Sequence, residues 1–431
     1  MRFSGLFTKT LREIPAEETA KNAQLLLRGG FVFKNSAGVY SFLPLGWRVM
    51  SKVIKIIREE MNAIGGQEMF MPALVEKKYL EATNRWNLDV GFDVVTKKNP
   101  DADSTGSRQA GFALGWTHEE VLTAIASKYV SSYKDLPFAA YQLQTKFRNE
   151  ARAKSGLLRG REFMMKDLYS FHADEKDLFD YYEKVKEAYM KIFERCHLRA
   201  IYTVAGGGAF TISNTHEFQI LSDVGEDTIL ICSQCEYAEN SEITKLKEKD
   251  ECPKCGGGMF EAKAIEAGNI FPLGTKYSEA MDLKFVDEKG EKKYVVMGSY
   301  GIGVSRLMAV IAEIHNDEKG IIWPENVAPF NAHLITLFGK DNDFQEDVKK
   351  KAEKLYEDLN KNGIEVLFDD RKDKSPGEKL ADADLIGCPY RLIVSPNTIS
   401  AALCEVKKRA NKKPEKLSDF QNVEQLIKYM K

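Results

Sequence analysis

No apolar run in this 431-residue sequence approaches the ~20 residues that a membrane-spanning helix needs. The first twenty residues, MRFSGLFTKTLREIPAEETA, lack the apolar core and small-residue cleavage site of a secretory leader. No repeat and no low-complexity linker interrupts the chain. An excess of charge is missing too: 62 Lys and Arg stand against 64 Asp and Glu, so any nucleic acid must be met by local patches. Cysteine is sparse, seven in all, and four of them form two Cys-x-x-Cys pairs, a spacing suited to metal rather than to a disulfide framework. What remains, 43% hydrophobic and 29% charged, reads as a soluble cytoplasmic protein of two or three domains.

Local patterns divide the chain. Val49, Met50, Val53, Ile54, Ile57 and Met61 recur at helical spacing, Gly65-Gly66 ends the helix, and QEMFMPALV follows as a strand whose Pro72 belongs at an edge or an interface. A second stripe, Leu178, Tyr182, Val185, Tyr189, Ile192 and Cys196, predicts a helix capped by Asp174. FAAYQLQTKFRNE and GREFMMKDLYSFHAD read as strands joined by a loop, and KKYVVMGS as a strand leading through YGIG into a helix. The two prolines of IIWPENVAPF mark a boundary, beyond which strand and helix patterns alternate.

Against the neutral background, KFRNEARAKSGLLRGREF (146–163) sets Lys146, Arg148, Arg152, Lys154, Arg159 and Arg161 against only Glu150 and Glu162. Two residues apart in a strand, Arg148 and Glu150 would share one face. Arginine's planar fork suits phosphate and carboxylate, so this strand–loop–strand unit reads as a clamp for a nucleotide lying on a sheet. A solvated surface loop is the plain alternative.

This stretch resembles the second signature motif of class II aminoacyl-tRNA synthetases. The helix–strand pair ending in Pro72 is similar to the first motif and GSYGIGVSRLMAVIAE (298–313) to the third. AGVYSFLPLGWRV, WTHEEVLT, REFMMKDLYSFHAD, IFPLGTKYSEAM and DDRKDKSPGEKLADADLIG resemble the bacterial prolyl-tRNA synthetase family, in its order and over nearly the whole chain. The resemblance implies an α+β catalytic domain, 1–328, with a mainly antiparallel sheet flanked by helices. A small α/β anticodon-binding domain, 329–431, would follow. It implies activation of L-proline with ATP and Mg²⁺, transfer to tRNA(Pro), and a homodimer packed through the first motif.

Residue roles follow from the same resemblance. Arg148 would bridge the α-phosphate and the amino-acid carboxylate, Glu150 would accept from the adenine amino group, and Arg161, within the ATP set, would order the loop or the nucleotide. Phe163, Gly303 and Arg306 complete the ATP set, with Glu217 or Gln219 assisting the metal. Thr117 and Glu119 would take the imino nitrogen, Phe171 and His172 would wall the ring, and Gly298 and Ser299 join the proline set. Thr117 with Glu120 also reads as a helix capping box. Asp370, Arg371 and Lys379 are the anticodon candidates, against an alternative as ordinary loop and cap residues.

Two departures from the family stand out: Trp116 where relatives usually carry proline, and Ala153 between Arg152 and Lys154. Cys232, Cys235, Cys252 and Cys255 have the spacing of a structural zinc site. They occupy a short insertion, about 226–264, where many relatives hold a domain that hydrolyses mischarged alanyl-tRNA; relics of a deletion are the alternative. A threonine-charging relative would place a catalytic metal within the sheet. A non-catalytic paralogue should have lost Arg148, Glu150 or Arg306.

Overall fold

The computed structural model describes the chain except residues 14–17, 96–110, 152, 209, 212–214, 339–344, 402, 412–414, 419–422 and 431, and the side chains of 403 and 415–418. Arg152 of the basic loop therefore lies outside the described residues. The chain forms two compact units, one of residues 35–40 and 53–310, the other of 1–34, 41–52 and 311–431.

The first unit is built on nine strands: β1 (Gly66–Glu68), β2 (Phe138–Phe147), β3 (Glu162–His172), β4 (Ile201–Ala205), β5 (Thr215–Leu221), β6 (Asp227–Cys232), β7 (Ala238–Asn240), β8 (Met259–Gly274) and β9 (Val296–Gly303). Their order is β5-β4-β7-β6-β8-β9-β3-β2-β1. Only β1 with β2 and β4 with β7 run parallel. The expectation of a mainly antiparallel sheet therefore holds. The proposed strand QEMFMPALV contributes only its first residues as β1; Pro72 follows in irregular backbone, and Leu74–Glu76 joins a separate three-stranded sheet.

The helices form where apolar spacing demands burial. The first stripe lies in α1 (Pro44–Ala63), with Val49, Met50, Val53, Ile57 and Met61 buried. α2 (Lys77–Ala82) and α3 (Glu119–Ala126) follow. The second stripe lies in α4 (Glu175–Arg195), where Leu178, Tyr182, Val185, Tyr189 and Ile192 are buried. Asp174 caps it as its sequence position predicts, accepting from the Asp177 amide at 2.9 Å. α5 (Lys276–Ala280) and α6 (Val304–Ile314) complete the set, α6 leaving β9 directly after the YGIG stretch.

The second unit carries a five-stranded sheet of β10 (Ala332–Thr336), β11 (Val366–Asp369), β12 (Tyr390–Val394), β13 (Leu403–Lys408) and β14 (Glu415–Ser418), ordered β11-β10-β12-β13-β14. The first three are parallel, linked through α7 (Gln345–Lys361) and α8 (Pro376–Ile386), and the last two antiparallel. Residues 1–3 run beside β11: the Phe3 amide donates to Phe368 O, and the Phe368 amide donates to Met1 O, both at 2.8 Å.

Candidate active site

The site is laid out by strand alternation. Successive side chains of a strand face opposite sides. In β3 the odd-numbered Phe163, Met165, Asp167 and Tyr169 face one cavity. Pairing brings Tyr169 beside Ser299 and Asp167 beside Gly301 on β9, and the next strand places Phe271 and Asn269 in the same two rows. Gly301 and Gly303 keep part of this floor shallow: a Cβ on Gly301 would come within 3.0 Å of Asn269 Oδ1. Thr117 and Glu119, at the start of α3, close one side of a cavity of about 110 Å³.

A second cavity of about 250 Å³ is lined by Arg148, Glu150, Leu157, Leu158, Arg159, Phe163, Asp227, Glu266 and Arg306, among others. Arg148, Phe163, Glu266 and Arg306 line both. Among the described residues, no carboxylate is ion-paired with Arg148, and its Nε has no hydrogen-bond partner. Arg306 donates to backbone through Nε to Leu158 O at 2.9 Å and through Nη1 to Glu266 O at 2.6 Å, and it is ion-paired with the Glu266 carboxylate at 3.4 Å. Burial and the facing Glu266 push the Glu217 carboxyl up to about 7, and burial raises Asp227 as well. This crowd of acids beside two arginines is a place where a divalent cation would relieve repulsion.

Several expectations need correcting. β2 stops at Phe147, so strand alternation does not place Arg148 and Glu150 on one face; they meet at the larger cavity because the chain turns there. Glu150 is held by Arg159 at 2.7 Å. Arg161 lines neither cavity and donates to Glu150 O at 2.9 Å, which orders the loop. Glu217 and Gln219 stand behind Asp227, to which Gln219 Nε2 donates at 2.7 Å.

Phe171 has the right parity but lies one pair past the cavity, stacked on Phe138 at 4.5 Å within the core. His172 points to the other face, bonded to Asp177 and Ser170 at 2.7 and 2.8 Å. Gly298 also faces away, where a Cβ would lie 2.2 Å from Tyr300 Oη. The capping box is absent: His118 is the N-cap and makes no side-chain capping bond, its ring bonding instead to Pro72 O at 2.9 Å, while Thr117 Oγ1 accepts from Arg85 Nη2 at 2.8 Å. Arg85, Asp167, Tyr169, Phe210 and Glu266 escaped the sequence reading. Only an acid inside an apolar strand, as at Glu266, offered a signal.

Of the anticodon candidates, Asp370 and Arg371 line a large groove of about 1340 Å³ in the second unit. Arg371 is bound to Asp369 and Asp382 at 2.6 and 2.8 Å, and Asp370 accepts from Ser4 Oγ at 2.8 Å. Lys379 is buried and donates to Thr336 O at 2.9 Å, so it offers nothing to a ligand.

The four cysteines converge, their sulfurs all within 4.8 Å of one another. Cys232 and Cys255 are 3.5 Å apart, Cys235 and Cys252 3.7 Å. In each pair a backbone amide two residues on, Gln234 or Lys254, donates to the first sulfur at 3.4 Å. Zinc bonded at about 2.3 Å to four thiolates requires such spacings.

An antiparallel sheet carrying a strand–basic loop–strand unit, a glycine-rich strand running into a helix, and two arginines shared by adjoining cavities define a class II aminoacyl-tRNA synthetase core. Comparison with known proteins agrees: residues 104–315 match the tRNA synthetase class II core domain (G, H, P, S and T), and residues 327–430 the anticodon binding domain. The chain is 35% identical to the proline–tRNA ligase of Geobacillus kaustophilus, over 95% of this chain and 96% of that one. It is 34% identical to that of Bacillus cereus strain B4264, over 100% and 99%.

This chain belongs to the proline–tRNA ligase family, in a short form. The Bacillus cereus alignment has 579 positions against 431 residues here, so at least 148 positions of it have no counterpart in this chain. The fold is also that of the prolyl-tRNA synthetase of Cryptosporidium parvum complexed with L-proline and AMP, at a TM-score of 0.75 and 19% identity, over 95% of this chain and 74% of that one.

Proposed function

We propose that the smaller cavity takes L-proline and the larger takes ATP. The observation that carries this is their shared pair of guanidiniums, Arg148 and Arg306, at the junction where carboxylate and α-phosphate must meet. The proline carboxylate is already ionised, so no general base is needed. One carboxylate oxygen attacks the α-phosphorus, the bond to the β-phosphate oxygen breaks, and pyrophosphate leaves with prolyl-adenylate behind. Preorganised cations serve this displacement by holding the two anions in line and offsetting charge that develops. In the second step a hydroxyl at the 3′ end of tRNA(Pro) attacks the prolyl carbonyl and AMP departs.

The finer assignments rest on the same layout. Glu119 and Thr117 receive the two N–H donors of the secondary ammonium, Phe163 flanks both subsites, and Asp227 and Glu266 face the Mg²⁺ that accompanies the triphosphate. The cysteine cluster holds a structural zinc that pins the turn following β6 to the start of β8. By function the chain divides at 328/329 into catalytic and anticodon-binding parts, with Asp370 and Arg371 at the groove where RNA would lie. β1 is a sheet edge and Phe70 beside it is 74% exposed, which supports dimerisation through the first motif. A cytoplasmic enzyme suits this role; among the described residues no helix is long and apolar enough to cross a membrane.

Amino-acid-dependent ATP–pyrophosphate exchange across all twenty amino acids tests the proposal. Exchange with proline, and weaker exchange with alanine, is the expected pattern. Strong exchange with a different amino acid alone would overturn the substrate.

A further inference from the structure

Arg85 lines neither cavity, yet among the described residues the side chains of Thr117 and Glu119, at the ammonium end of the smaller one, are bonded by it, with Ser299 as the other partner of Glu119. It follows α2 in the chain and is 4% exposed. Its guanidinium makes three bonds: Nη2 to Thr117 Oγ1 at 2.8 Å, Nη1 to Glu120 Oε1 at 2.8 Å, and Nη1 to Glu119 Oε2 at 3.2 Å. Its flat face lies 4.0 Å from the Trp116 ring centroid, with Phe210 and Tyr277 at 5.2 and 5.6 Å. Trp116 is one of the two positions at which the sequence departs from the family it resembles, and here it supplies a platform for a cation.

Two adjacent buried carboxylates cannot stay charged without compensation. Thr83 Oγ1 donates to Glu120 at 2.7 Å, and the shorter arginine bond also goes to Glu120. Glu119 is left with the longer bond to Arg85 on one oxygen and Ser299 Oγ at 3.1 Å on the other. Its rotamer is thereby fixed from two sides while much of its charge remains available to a cation entering the cavity.

We propose that Arg85, seated on Trp116, is the positioning residue for imino-acid recognition: it orients Thr117 and Glu119 toward the substrate ammonium while neutralising Glu120. It touches no substrate atom. This assignment rests on the smaller cavity being the proline subsite. Lysine cannot replace it, because three bonds in one plane need the guanidinium fork.

The test is steady-state ATP–pyrophosphate exchange with the full-length wild type, Arg85→Lys and Trp116→Leu, each checked for native unfolding behaviour. Arg85→Lys should raise the proline KM about tenfold or more, the loss expected for a charged hydrogen bond, with the ATP KM and kcat little changed. Trp116→Leu keeps the guanidinium and removes its platform, so the proline KM should rise about three- to tenfold, again without the ATP KM. If Arg85→Lys does not fold, Trp116→Leu decides by the same criterion. Proline and ATP KM rising together, or kcat falling alone, in folded variants of an active wild type overturns this assignment only. A wild type inert toward proline overturns the subsite reading and this assignment with it.

Discussion

Arg306 Nε donates to the carbonyl oxygen of Leu158 at 2.9 Å, so the arginine in the first turn of α6 also holds down the loop between β2 and β3. One side chain thus positions a loop wall and lines the cavity proposed for the nucleotide. Arg306→Ala should lower kcat/KM for ATP by about 10²–10³, with a smaller effect on proline KM, in pyrophosphate exchange. A decrease shared equally by both substrates would instead indicate general loss of the cavity.

Lys146 and Asp167 form an ion pair at 2.8 Å with side chains 0% and 5% exposed, directly beneath the smaller cavity. Asp167 is also bonded by Gln142 and Tyr169 at 3.0 and 2.9 Å. Removing one partner strands a buried charge, so Lys146→Met should cost about 3–5 kcal/mol of stability, read as a lowered urea midpoint. The double variant Lys146→Met/Asp167→Asn should recover part of it.

His333 is buried, and among the described residues neither ring nitrogen has a hydrogen-bond partner. Burial pushes it down to about 4, against an upward pull from Asp369. The unfolded chain binds this proton as pH falls through the ordinary histidine range near 6.5, whereas the fold resists until about 4, so stability is lost on acidification across that window. The loss is about 2–3 kcal/mol. His333→Leu should flatten the wild-type stability curve between those limits; an unchanged slope would contradict the assignment.

The cysteine cluster predicts one zinc per chain by native mass spectrometry. Cys232→Ser or Cys252→Ser should abolish stoichiometric binding and lower the melting temperature. An apo wild type after purification in reducing buffer with added zinc would count against a metal site.

Proline's pocket cannot strongly exclude the smaller alanine, since lost apolar contact is worth only ~1–3 kcal/mol. At least 148 positions of the Bacillus cereus alignment have no counterpart here; if the hydrolytic domain expected from the resemblance is among them, Ala-tRNA(Pro) should persist when incubated with this protein alone. Rapid deacylation would show an editing activity elsewhere in the chain.

Much of this was legible in the sequence, for definite reasons. α1 and α4 were legible because each buries a continuous 3.6-period stripe. Arg148, Glu119, Ser299 and Arg306 were legible as residues that line one cavity because each sits in one of the motifs quoted from the sequence. Phe171 and His172 were misplaced because motif adjacency says nothing about where along a strand the cavity ends, or which face a neighbour takes. Lys379 looked available because a lysine in the charged first turn of a helix gives no sign of reaching inward to Thr336. Arg85 stood in EATNRWN, some thirty residues from the groups it holds, with no periodicity to mark it.

The proposed function requires one continuous site, joined at Arg148 and Arg306, that holds amino acid and nucleotide together. Calorimetric titration with a non-hydrolysable prolyl-adenylate analogue tests it most directly. One analogue should bind per active site, far more tightly than proline or ATP alone, competing with both and greatly weakened in Arg148→Ala. Binding that displaces ATP but leaves proline binding intact, or that survives loss of Arg148, would contradict it.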